Sequence, residues 1–171
     1  VASDGRFAAH CQKMLGHLYL EMGDVDAAEA LYREALEHRS LDWAMVGMAE
    51  VKRARGDLLG AQQWLEETVQ EHPLFMKAYD LQAQICREQG ARDRLQKVLE
   101  HAVEVSPLAI LRQQTLAETA MENHDVVTAA TAYRKAVRLG ENSVYDRADV
   151  HLDFARATAT LFAEDKTLAK Q

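Results

Sequence analysis

Proline and aromatic residues are scarce in this sequence. Only two of its 171 residues are proline and 6% are aromatic, while alanine, leucine, glutamate and arginine abound. That profile favours helix over sheet, because unbranched side chains lose little freedom in a helix whereas β-branched and aromatic ones suit strands. Basic charge is also lacking, with a formal net charge of −7. A general binder of phosphate backbones needs concentrated Lys and Arg, so nucleic acid is not an expected partner. No apolar run approaches the roughly 20 residues that a membrane-spanning helix needs, so no membrane association is expected. The opening VASDGRFAAH lacks the charged and apolar regions of a signal peptide. A cytoplasmic location is the expectation, and the absence of an initiator Met at Val1 suggests a piece of a longer chain.

What is present is enough to fold. At 48% hydrophobic and 27% charged residues, the chain can bury a sizeable core. It also repeats. Gly23-Asp24 and Gly56-Asp57 lie 33 residues apart, Gly90 follows 34 later, and His124-Asp125 another 34 later. Pro73 and Pro107 are 34 apart in the same phase, with Ser40 in the corresponding place one repeat earlier. Between these markers apolar residues recur at three and four, the spacing of helices. Each unit therefore reads as two antiparallel helices, with glycine ending the first where a left-handed residue is needed and aspartate capping the second. The expected helices are Arg6–Met22 with Val25–His38, Leu41–Arg55 with Leu58–Gln70, Met76–Gln89 with Arg92–Val105, and Leu108–Asn123 with Val126–Leu139. A further helix is expected over Val144–Phe162, entered through Ser143 with Asp146 three residues on.

Small residues recur where helices must approach closely: Gly16, Ala49, Ala83 and Ala117 in the first helices, and Ala28, Ala61 and Ala129, then Ala35, Ala102 and Ala136, in the second. Leu15, Tyr19, Tyr32, Met48, Leu65, Tyr79, Leu99, Leu116 and Tyr133 fill the spaces between them. This alternation resembles the tetratricopeptide repeat family, whose 34-residue pattern has Leu-Gly at positions 7 and 8, Tyr at 11, Ala at 20, a large residue at 24, Ala at 27 and Pro at 32. With Ala9 as position 1, the match is Leu15, Gly16, Tyr19, Ala28, Tyr32 and Ala35; later repeats start at Asp42, Met76 and Ile110. Leu95, Thr68 and Glu141 depart from the pattern. The resemblance implies an all-α fold, a right-handed α-α superhelix of four hairpins (residues 9–41, 42–75, 76–109 and 110–143), a C-terminal helix over 144–162 and a tail over 163–171, forming one array.

Such solenoids use their concave wall, built from the first helix of each hairpin, to bind extended or helical peptides. The resemblance therefore implies a non-catalytic protein-binding scaffold. Its expected peptide-binding residues are Lys13, His17, Trp43, Glu50, Arg53, Lys77, Gln84, Arg87, Leu111, Glu118, Met121 and Tyr145. Trp43, Leu111 and Tyr145 share one repeat position and would form an apolar track, suited to a peptide with spaced apolar anchors; packing between adjacent helices is the other reading of Trp43 and Tyr145. A chaperone-tail carboxylate clamp known in the family keeps Lys13 and Lys77 but has His17, Gly47 and Leu81 at its other places, so it is broken. Residues 106–144 also resemble the repeat segment that follows a receiver domain in certain proteobacterial response regulators, which implies an output role in two-component signalling.

Catalysis is not expected. The seven histidines are dispersed over the repeats, and no pair sits at the i and i+4 spacing of a helix-borne metal site, so neither metal nor cofactor is expected. Cys11 and Cys86 lie two repeats apart, too far for a disulfide. No phosphate loop or nucleophile elbow occurs. The alternative function is a self-associating module that dimerises through its terminal helices, since Val150, Leu152, Phe154, Leu161 and Phe162 exceed what packing on one neighbour needs.

Overall fold

The computed structural model describes residues 2–37, 39–141 and 148–168, the side chains of residues 2–6, 162 and 164–168 excepted. Among the described residues there are nine α-helices and no strand. The chain forms two compact units, Val1–Ile85 and Cys86–Gln171. The first holds α1 (Ala2–Glu21), α2 (Val25–Leu36), α3 (Asp42–Ala54), α4 (Leu58–Glu71) and most of α5 (Met76–Glu88). The second holds the last turn of α5, then α6 (Arg92–Val105), α7 (Ile110–Glu122), α8 (Val126–Gly140) and α9 (Ala148–Leu168).

The same turn is built four times, at the places the spacing predicts. Gly23, Gly56 and Gly90 have φ of +79°, +79° and +66°, and His124 takes the same left-handed conformation at 61°. Each turn closes with the paired bonds of a Schellman motif. In the first, Asp24 N donates to Tyr19 O at 2.9 Å and Gly23 N to Leu20 O at 3.1 Å. In the last, Asp125 N donates to Ala120 O at 2.8 Å and His124 N to Met121 O at 3.1 Å. The following aspartate then accepts from the second helix: Asp24 from Ala27 N, Asp57 from Gly60 N and Asp125 from Thr128 N, at 3.1, 2.9 and 3.1 Å. Burial raises the Asp125 pKa, but hydrogen bonds from Thr128 and Gln96 outweigh that and hold it below the usual carboxylate value. Of the helices that follow these four turns, α6 alone lacks such a cap, Ala91 having no side-chain acceptor.

The loops between hairpins share a second device. Tyr79 donates its hydroxyl to Pro73 O at 3.1 Å, and Gln113 donates its amide to Pro107 O at 3.3 Å. Both residues stand six positions after their proline, so each ties the incoming helix to the loop that precedes it.

Within the first unit, Ala28, Tyr32, Ala44, Met48 and Val51 form one core cluster; Val46, Ala49, Ala61, Leu65, Ala78, Leu81 and Ile85 form a second. Trp64, half-buried, packs against both. Thr68 stands where the pattern wants alanine and is fully buried; its hydroxyl donates to Trp64 O at 2.6 Å, which removes the penalty of burying it. In the second unit the small residues Ala117, Ala120, Ala129, Ala132 and Ala136 are buried with Leu99, Leu116 and Tyr133.

Three expectations need correction. Leu15, expected in the core, is 40% exposed on a side of α1 that no described helix covers. The last helix continues to Leu168 rather than stopping at Phe162, because residues 163–168 hold no glycine or proline to end it. Its apolar residues are also better covered than expected: Val150 and Ala157 are buried, Phe154 and Leu161 half-buried, and Leu152 exposed. The expected start at Val144, its Ser143 cap and the Phe162 side chain lie outside the described residues.

Candidate binding face on the first helices of the hairpins

In the first unit the candidate residues are organised by Tyr32, which α2 sends between α1 and α3. Helices can approach this ring only where they carry no side chain. A Cβ at Gly16 of α1 would lie 2.6 Å from Tyr32 Cε1, and one at Gly47 of α3 would lie 2.5 Å from it. Tyr32 is 2% exposed. Burial, with the negative charge of Glu50 nearby, pushes its pKa up to about 12. Gly47 was legible in the sequence only as a departure from the carboxylate clamp. The signal of its packing role is a glycine in mid-helix, which costs about 1 kcal/mol relative to alanine and so calls for a reason.

A run of contacts leads from this ring to the surface. The indole of Trp43, at the start of α3, meets Tyr32 edge-on with ring centroids 6.2 Å apart and planes at 63°. Trp43 is half-buried and packs against the Tyr32 cluster, so it serves the core while keeping part of its ring open. Glu50, two turns along α3, pairs with Lys77 of α5 at 3.1 Å; the carboxylate side chain is 18% exposed and the lysine 48%. The Trp43–Tyr32 contact and the Glu50–Lys77 pair thus meet on α3, with the charge of Glu50 felt at the Tyr32 hydroxyl. Arg53 is half-buried one turn beyond Glu50, and Gln84 is exposed two turns beyond Lys77.

On α1, Lys13 and His17 are both exposed, and His17 Nε2 stands 3.4 Å from Glu21 Oε1. His17 borders a shallow hollow with Cys11, Met14 and Leu18, so it belongs as much to the open side of α1 as to the face of Trp43 and Lys77. The clamp positions Gly47 and Leu81 face Tyr32 and the core respectively, and Lys77 is engaged by Glu50.

In the second unit, Arg87 is exposed on the last turn of α5. On α7, Leu111 is 54% exposed, Glu118 is exposed and accepts from Gln114 Nε2 at 2.9 Å, and Met121 is half-buried. Tyr145 lies outside the described residues. No group of three or more His, Cys, Asp or Glu side chains suited to a metal ion occurs among the described residues. Cys11 is exposed and Cys86 buried, both as free thiols, and burial raises the Cys86 pKa.

A family model described as tetratricopeptide repeat matches residues 12–38, the first hairpin with its Gly16, Tyr32 and Gly23-Asp24 turn. Over that hairpin the chain matches a tetratricopeptide repeat. Solved structures share the repeat fold over nearly the whole length. A structure titled as the functional characterization of Pseudomonas aeruginosa pilF is 21% identical, with a TM-score of 0.62 over 96% of this chain and 72% of that one. A MamA AMB-1 structure is 13% identical, with a TM-score of 0.63 over 96% and 88%. A variant of the nearly identical tetratricopeptide-like repeats of a Podospora anserina kinesin light chain is 20% identical, with a TM-score of 0.62 over 94% and 89%. At these identities the likeness establishes the fold. Comparison by sequence with curated proteins returned no match.

Proposed function

We propose that these repeats form a non-catalytic scaffold in the cytoplasm that holds a peptide segment of another protein against the first helices of its hairpins. The observation that carries this reading is the arrangement in which the Trp43–Tyr32 contact and the Glu50–Lys77 pair meet on α3. It holds an aromatic edge and a cation on the first helices of neighbouring hairpins, the first braced by the buried Tyr32 and the second by the half-buried Glu50. A braced aromatic loses little entropy on binding, which is what an anchor pocket needs. A segment with one apolar anchor for Trp43 and a carboxylate or carbonyl near Lys77 and Gln84 fits this face. The second unit offers Leu111 as an apolar contact of the same kind. Among the described residues no helix is long and apolar enough to cross a membrane.

Panning a random peptide library against the full chain tests the reading. Peptides enriched on the wild type should lose at least tenfold in affinity on Lys77→Ala and on Trp43→Ala. The Lys77 variant keeps its melting temperature, because a half-exposed ion pair contributes little to stability. Enriched peptides that bind both variants as well as the wild type would refute the placement of the site. The resemblance of residues 106–144 to response-regulator output segments supports a role for this scaffold downstream of a phosphorylatable receiver. A gene encoding these repeats with no receiver domain would remove that role and leave the binding face untouched.

A further inference from the structure

One side of α1 serves the core through Gly16, Tyr19 and Leu20. The other side is also apolar, and no described helix covers it. Phe7, Cys11, Met14, Leu15, Leu18 and Met22 all lie exposed along it. A helix that is apolar on both sides belongs between two neighbours. With exposures of 72%, 60%, 40%, 48% and 70% for Phe7, Met14, Leu15, Leu18 and Met22, and side-chain areas of about 150–200 Å² each, the strip presents about 500 Å² per copy. That is at the upper end of the few hundred Å² that a monomer ordinarily leaves open. Two such strips face to face, fully buried, would remove about 1,000 Å² from water, the lower threshold of a specific interface and the size of a weak, concentration-dependent one.

The spacing of the strip identifies what covers it. In a two-fold contact between antiparallel helices, residue i of one copy meets a residue of the other such that the two numbers have a constant sum. For a sum of 29 the strip maps onto itself without remainder: Phe7 meets Met22, Cys11 meets Leu18 and Met14 meets Leu15. Charge agrees with the same register. Glu21, the acidic residue bordering the strip, falls opposite Ala8 rather than another carboxylate. We infer that α1 is a self-docking face, where a second copy of this chain packs its own α1 antiparallel about an axis between Met14 and Leu15. This surface is distinct from the face of Trp43 and Lys77, so a dimer formed here leaves both copies of that face open.

Two measurements test the inference on the full chain. Sedimentation velocity from the micromolar to the millimolar range should show a concentration-dependent dimer for the wild type. Met14→Glu should be monomeric throughout, with unchanged helical circular dichroism because Met14 is exposed. Oxidative cross-linking fixes the register. In the antiparallel pair the two Cys11 residues stand about seven helical residues apart along the axis, or about 10 Å, so the wild type should not cross-link. Leu18→Cys brings a thiol opposite Cys11 of the other copy and should give a covalent dimer on mild oxidation, whereas the buried Cys86 takes no part. A wild type that stays monomeric at every concentration, which would leave the strip to a helix of another protein, overturns the inference. So does a dimer indifferent to Met14→Glu, and so does cross-linking of the wild type through Cys11, which would require parallel helices.

Discussion

Replacing Gly47 by alanine sets two rules against each other. In the interior of a helix the change removes the flexibility of glycine and should stabilise by about 1 kcal/mol. In this chain the new Cβ would stand 2.5 Å from both Cε1 and Cζ of Tyr32 and 2.7 Å from Cδ1. Ordinary contact requires about 3.5 Å, so the ring must move by roughly 1 Å. A ring that is 2% exposed and already touches Gly16 with the same edge has little space to enter. Overpacking of this kind costs about 1–3 kcal/mol, which outweighs the helix term and leaves Gly47→Ala destabilised by about 1 kcal/mol. For a chain of this length that is a fall of about 2–4 °C in melting temperature. The interaction is isolated by a double-mutant cycle with Tyr32→Leu, which removes the ring edge. In that background Gly47→Ala should raise stability, giving a coupling of about 1–3 kcal/mol. Urea unfolding followed by circular dichroism on the four proteins measures it. A Gly47→Ala protein more stable than the wild type, or a coupling near zero, would refute the packing argument.

Two further outcomes follow from the same geometry. His124 holds a left-handed conformation where the other three turns use glycine, a strain of about 1–2 kcal/mol for a residue with a Cβ; His124→Gly should raise the melting temperature by about 2–4 °C in a thermal scan, and a fall would contradict the strain. The pKa of Tyr32 is about 12 in the folded chain against 10.0 for an ordinary tyrosine, so the folded state holds its proton more tightly and the associated stability, complete below pH 10, is lost as pH rises from 10 toward 12. Urea midpoints measured from pH 8 to pH 11.5 should fall less steeply above pH 10 for Tyr32→Phe than for the wild type, and parallel curves would show that the ring is not held neutral by its surroundings.

Much of the helical plan was legible because it is written in local chemistry. A glycine followed by an aspartate specifies a left-handed stop and a cap within two residues, and α6, which begins after Ala91 and lacks the aspartate, was placed by phase alone. The fourth turn shows the same thing from the other side, since His124 was located by its distance from Gly90 and not by its residue type. Gly47 was not legible as a packing residue, because its reason is a ring contributed by α2, fifteen positions away. The same holds for Glu50 and Lys77, each assigned to the right helices without a sign that they would pair. Leu15 was misplaced because the repeat pattern assumes a neighbour on both sides of every helix, and among the described residues α1 has one on only one side.

The shared grip of Tyr32 on Gly16 and Gly47 bears on how freely such modules could be recombined. Units that are interchangeable in sequence pattern are not interchangeable here, since the opening hairpin donates an aromatic ring that its successor accepts in a slot with no side chain. A gene rearrangement that deleted, duplicated or inserted a repeat at that junction would separate the ring from its slot, so lengthening or shortening the array at this joint carries a packing penalty.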